Sequence, residues 1–128
     1  SPMAKILIVD DDLQTTTLLA SLIKTTGNEP TSVNLSRNAI EVASSLQPDL
    51  ILLDIMMEGI NGVELCKLIK ADSNLKSIPV VMVSALDDIG SKRDSFNAGA
   101  VDFITKPVRP GDFTERIKEV LNLKPASL

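Results

Sequence analysis

Short apolar runs alternate five times with longer stretches of helical period along the chain, the pattern of βαβ units whose strands form a parallel sheet covered on both faces. The first run, residues 6–9, precedes Leu18, Leu19, Leu22 and Ile23 at helical spacing, closed by Gly27 as a helix stop. A second strand is expected at 31–33. It is polar and lies beside Pro30, as suits a sheet edge, and a stripe of Ala39, Ile40, Ala43 and Leu46 follows. Residues 50–53 are continuously apolar, as a strand buried on both faces should be, with Leu65, Leu68 and Ile69 marking the next helix. The fourth strand, 80–83, is opened by Pro79. Asp87 or Asp88 can then cap a helix running toward Phe96 and stopped by Gly99. A fifth strand at 101–104 leads to a helix carrying Phe113, Ile117, Val120 and Leu121 at i, i+4, i+7 and i+8. The expected fold is a doubly wound α/β sheet with helices on both faces.

At 128 residues, 44% of them hydrophobic and 23% charged, the chain suits one self-sufficient core. That domain is expected over 4–123, with 1–3 an added remnant or start and 124–128 a tail or linker. The chain has no histidine. This excludes Ser-His-Asp and Cys-His chemistry, histidine zinc sites and any phosphohistidine carrier role. The single cysteine, Cys66, can close no internal disulfide, which points to a reducing, cytoplasmic setting. It reads as a small helix residue with no role. A net charge of -4, with no Trp or Tyr, argues against direct nucleic-acid binding, and no apolar stretch approaches the roughly 20 residues of a membrane span.

In such a sheet, ligands bind beyond the carboxyl ends of the strands, where strand order reverses. The residues ending the strands are Asp10, Asp11 and Asp12, then Asp54, Ser84, and Lys106 followed by Pro107. Crowded carboxylates repel one another unless a cation sits among them. Hard oxygen ligands without His or Cys favour Mg2+, with Mn2+ as an alternative. Lys106 supplies fixed positive charge and Ser84 a hydroxyl donor, the complement of a transferring phosphoryl group, and aspartate is a known nucleophile toward phosphorus. Taken alone, the Asp triplet would cap a helix and Ser84 would be a satisfied turn hydroxyl; their joint placement carries the functional reading.

ILIVDDD (6–12), LILLDIMM (50–57), VVMVSA (80–85) and DFITKP (102–107) resemble, in order and spacing over nearly the whole chain, the receiver domain of two-component response regulators. The resemblance implies a flavodoxin-like sheet of order 2-1-3-4-5. It implies that Asp54 accepts the phosphoryl group, that Asp11 binds Mg2+ directly and Asp10 mainly through water, and that the Met56 backbone carbonyl completes the protein ligands. It further implies that Ser84 is the switch hydroxyl, Lys106 the phosphate-pairing lysine, Ala85 the small residue leaving room for phosphate and Phe103 the aromatic switch, and that the Lys106-Pro107 bond is cis. The implied partners are a sensor histidine kinase or phosphotransfer protein as donor, an effector domain or downstream protein, and a phosphorylation-dependent homodimer. Three positions depart from the pattern. Glu58 stands where proline is common, which leaves the loop after Asp54 freer and more negative; Asn61 replaces a frequent Asp; and Phe103 replaces a frequent Tyr, so any aromatic switching works by ring packing alone.

Other functions fit less well. A haloacid-dehalogenase-type phosphatase needs a second Asp two residues after its nucleophile, and Asp54 is followed by Ile55 and Met56. Flavin binding would need a Ser/Thr/Gly-rich phosphate loop where Asp10, Asp11 and Asp12 stand. The remaining alternative is a pseudoreceiver acting as an interaction module without phosphorylation. Its ligands, nucleophile or lysine should be lost, and none is.

Overall fold

The computed structural model describes residues 3–123; the expected tail at 124–128 and residues 1–2 of the expected remnant lie outside the described residues. In chain order the elements are β1 (Lys5–Val9), α1 (Leu13–Thr25), β2 (Glu29–Val33), a 3-10 turn (Ser36–Asn38), α2 (Ala39–Leu46), β3 (Leu50–Leu53), α3 (Gly62–Ala71), β4 (Val80–Ser84), α4 (Ile89–Asn97), β5 (Asp102–Thr105) and α5 (Pro110–Leu123). The five strands are parallel in the order β2-β1-β3-β4-β5.

Because neighbouring strand residues point to opposite faces, the continuous apolar runs split into two core layers. Leu7, Val9, Ile51, Leu53, Val80 and Met82 pack on one side with Leu65, Cys66 and Ile69 of α3 and with Ala39 and Ala43 of α2. Ile6, Ile8, Leu50, Leu52, Val81 and Val83 pack on the other with Leu19 and Ile23 of α1 and with Phe113, Ile117 and Val120 of α5. Burying such a side chain is worth about 1.5–3 kcal/mol, and this two-sided burial explains why β1, β3 and β4 carry almost no polar residue.

β3 keeps its expected bounds, β1 and β4 each gain one residue, Lys5 and Ser84, and the two edge strands differ further. β2 begins at Glu29 and includes Pro30. Glu29 donates its N–H to the Ala4 carbonyl at 2.8 Å, so 29, 31 and 33 face β1 for pairing and the missing N–H of Pro30 falls on the open edge, where it costs nothing. β5 is shifted by one, Asp102–Thr105, leaving Val101 exposed. Leu18 and Leu68, expected in helical stripes, are also largely exposed; the buried arc of each helix is narrower than its apolar composition. Asp88 is the cap of α4, its carboxylate accepting from Ser91 N–H at 3.0 Å. Cys66 is buried, its thiol donating to the Ala98 carbonyl at 3.4 Å, and burial pushes the thiol pKa up.

Candidate functional site

The order of strands reverses between β1 and β3, whose following helices α1 and α3 lie on opposite faces, and this opens a crevice at the carboxyl ends. Ladder bonds carry Asp10 and Asp54 to its floor: Asp10 N–H donates to the Val33 carbonyl at 3.1 Å and Asp54 N–H to the Val9 carbonyl at 3.0 Å. Both side chains are buried, 2% and 7% exposed. Asp10 Oδ1 accepts from Asp12 N–H at 2.9 Å and Oδ2 pairs with Lys106 Nζ at 2.7 Å. Asp54 Oδ1 accepts from Ile55 N–H at 2.8 Å, while Oδ2 lies 3.5 Å from Lys106 Nζ. Asp11 is exposed at the rim, with Oδ2 accepting from Glu58 N–H at 3.1 Å. Asp10, Asp11 and Asp54 each offer a carboxylate oxygen within 4.8 Å of the others.

Lys106 follows β5 and is registered by its N–H to the Ser84 carbonyl at 2.8 Å; the Lys106-Pro107 bond is cis, as expected. Ser84 is buried at the end of β4, its oxygen accepting from Leu86 N–H at 3.3 Å. Burial pushes the Asp54 carboxyl above the ordinary carboxylate range and the charge of Asp10 adds to this, against Lys106, the Ser84 hydroxyl and Ile55 N–H. Three carboxylates therefore face one ammonium, and the all-oxygen donor set suits a hard divalent cation rather than a softer metal.

The structure thus brings together Asp10, Asp11, Asp54, Ser84 and Lys106. Asp12 stands apart: it precedes α1, and its carboxylate accepts from the Thr15 hydroxyl at 2.5 Å. Met56 lies two residues beyond Asp54 and is 65% exposed. It lines, with Asp11, Ile55 and Asn61, a groove of about 950 Å3 between α3 and α4. The Phe103 ring is buried on the face of the sheet that α4 covers, with the Lys92 ammonium of α4 5.8 Å from its centroid.

Three residues that the sequence reading passed over support the site. Asn34 Nδ2 donates to the Asp10 carbonyl at 2.9 Å. The Ser36 hydroxyl reaches the loop after Asp54. Arg116 of α5 grips Asp102 at 2.7 and 3.0 Å and the Phe103 carbonyl at 2.9 Å, and this pairing raises its already high pKa. The first two follow the carboxyl end of β2, so the strand-end rule already applied to the other strands points to them. Nothing in the sequence pairs Arg116 with Asp102.

Comparison with known proteins agrees with this geometry. The family described as the response regulator receiver domain matches residues 6–118. Over 116 residues the chain is 36% identical to the phosphate regulon transcriptional regulatory protein PhoB of Pseudomonas aeruginosa, covering 91% of this chain and 51% of that protein. It is 32% identical over 114 residues to the DNA-binding response regulator MtrA of Mycolicibacterium paratuberculosis, covering 89% and 49%. The chain therefore spans about half the length of these curated relatives. Among solved structures, the signal receiver domain of a signal transduction histidine kinase from Syntrophus aciditrophicus superposes with a TM-score of 0.88 at 31% identity, covering 98% of this chain and 95% of that one. Among the described residues, no helix is long and apolar enough to cross a membrane. With fold, strand-end chemistry and sequence in agreement over almost the whole chain, the protein belongs to the response regulator receiver domain family.

Proposed function

We propose that Asp54 accepts a phosphoryl group in a two-component phosphorelay, with Mg2+, or Mn2+ in its place, held by Asp10, Asp11, Asp54 and the backbone carbonyl of Met56. The observation that carries this reading is the gathering of three carboxylates opposite Lys106. A divalent cation bound there would offset the carboxylate charge and offer phosphate oxygens a positive partner. Asp54 Oδ2 forms the bond to phosphorus as the bond to the donor breaks, and the electron pair leaves with the donor. Lys106 then turns from Asp10 toward the new phosphoryl oxygens, and the Ser84 hydroxyl donates to one of them. Having no histidine of its own, the chain takes its phosphoryl group from a sensor histidine kinase, a phosphotransfer protein or a small acyl phosphate. It is a switch and not a turnover enzyme, acting in the cytoplasm as a domain spanning 4–123. No observation favours the binding-only pseudoreceiver, since ligands, acceptor and lysine all stand together.

The output surface in this reading is the face of α4, β5 and α5, meeting an effector domain, a downstream protein or a second copy of the chain. Ser84 and Phe103 lie on the adjacent strands β4 and β5. The Arg116 clamp on Asp102 and the Phe103 carbonyl ties β5 to α5, so a shift of β5 is passed to the helix. A cavity of about 410 Å3 on this face, lined by Lys92, Phe103, Arg109, Asp112 and Arg116, gives the ring room to repack. Intact-mass measurement after acetyl phosphate and Mg2+ should show one acid-labile phosphoryl group, and beryllofluoride should change hydrogen exchange between residues 85 and 115. Labelling of Asp54→Ala at the wild-type rate would refute the acceptor, and exchange changes confined to the pocket loops would refute the coupling.

The lifetime of the phosphorylated form should be long. Water must reach phosphorus in line with the aspartyl oxygen, past Met56 and Leu86, two residues beyond Asp54 and Ser84. Both are apolar, so neither can orient or deprotonate water. Phosphoaspartate decay should accelerate, by about tenfold or more, when both become polar in Met56→Asn with Leu86→Glu. An unchanged rate in that variant rejects the shielding.

A further inference from the structure

The loop after Asp54 carries glutamate where a proline would restrict it, yet its backbone is pinned from both sides. Glu58 N–H donates to Asp11 Oδ2 at 3.1 Å, a bond that proline could not make. Its carbonyl accepts from the Ser36 hydroxyl at 2.8 Å, and the same Ser36 oxygen accepts from Ile60 N–H at 3.2 Å. Ser36 comes from the far side of the crevice, on the 3-10 turn before α2, and is only 4% exposed. Its proton and one of its two lone pairs are committed to this loop. Gly59 between the two bonded groups has φ +85°, and a Cβ there would stand 3.1 Å from Ser36 Oγ. The hydroxyl is thus packed directly beneath the turn. Two residues earlier, Asn34 holds the Asp10 carbonyl, so a single short segment after β2 braces both acidic loops.

We propose that the Ser36 hydroxyl is a positioning residue for the cation site: by fixing the conformation of Glu58 it holds that residue's N–H on Asp11 and keeps the loop containing Met56 in its ligand-bearing shape. The polar, weakly patterned β2 edge thereby gains a task, and the serine takes over the restraint that proline would otherwise impose. This inference rests on the reading of the acidic crevice as a divalent cation site.

The removal of groups that orient metal ligands typically weakens binding by 10–100-fold. Acting one residue further out, Ser36→Ala should weaken Mn2+ binding by about tenfold. Calorimetric titration of the full chain with Mn2+, at a temperature where urea melts show each protein fully folded, measures this directly. Ile23→Val, a core truncation in α1 remote from the crevice, serves as a destabilised control and should bind Mn2+ as the wild type does. In the metal-free protein, amide exchange at Glu58 and Ile60 should quicken about tenfold in Ser36→Ala, as expected when a buried hydrogen bond is lost, while β1 and β3 amides stay unchanged. Mn2+ affinity within twofold of wild type in Ser36→Ala, with faster exchange at Ile60, would overturn the proposal and leave Ser36 a purely structural residue. An equal loss of affinity in Ile23→Val would overturn it as well. If the wild type binds no Mn2+, the cation-site reading itself fails and this inference falls with it.

Discussion

Gly62→Ala is expected to destabilise the protein by at least about 3 kcal/mol and to abolish phosphoryl acceptance together with the fold's cooperativity. A Cβ at this first residue of α3 would lie 1.9 Å from the Asp54 carbonyl oxygen, 2.8 Å from its carbon and 2.9 Å from Ile55 Cα. All three are backbone atoms at the end of the central strand, so no flexible side chain can move aside. Either α3 lifts from the sheet, losing the burial of Leu65, Cys66 and Ile69, or Asp54 is displaced from the crevice. The neighbouring Asn61 sets the helix start, its carboxamide oxygen accepting from Glu64 N–H at 3.0 Å, and thereby forces the close approach at Gly62. Denaturant melts measure the loss. A variant as stable as the wild type, with Asp54 still labelled, would contradict the crowding.

Lys106→Met is expected to lower the stability of the metal-free protein by about 3 kcal/mol, or on the order of 10 °C in melting temperature. The lysine is the positive partner of two buried carboxylates, at 2.7 Å from Asp10 and 3.5 Å from Asp54, and its removal leaves both charges uncompensated. Mg2+ should then stabilise the variant more than the wild type, because the cation takes over the missing charge. The pH dependence has a definite sign. Asp54 is already held above the ordinary carboxylate range by burial and by Asp10, and loss of Lys106 removes an opposing influence. The native state then binds a proton at pH values where the unfolded chain does not, so stability is lost as pH rises through the native value and regained as pH falls. Melting temperatures with and without Mg2+, from pH 5 to 8, test this; a variant insensitive to Mg2+ would show that Lys106 does not balance the carboxylates.

Much of this protein was decided by the chain alone. Parallel pairing follows from the unbroken apolar runs at β1, β3 and β4, because only strands covered on both faces can be apolar at successive positions. The acidic crevice follows from which residues end those strands, because strand ends of a doubly wound sheet converge. Ends of elements were less legible: Pro30 belongs to β2 because that strand lies at an edge where a missing N–H is harmless, and edge position is a property of the assembled sheet. Phe103 was legible as an aromatic next to the site, but its burial beneath α4 is set by which face β5 turns inward.

What only the tertiary structure decided are the supports. Asn34 on the Asp10 carbonyl, Ser36 on Glu58 and Ile60, and Arg116 on Asp102 join residues separated by 24, 22, 24 and 14 positions. The same holds for the collision that makes Gly62 obligatory. A periodic pattern records burial, which each residue reports by its own polarity. A hydrogen bond or a close contact between distant segments depends on the angle and distance at which two elements pack, and single residue identities do not carry that information.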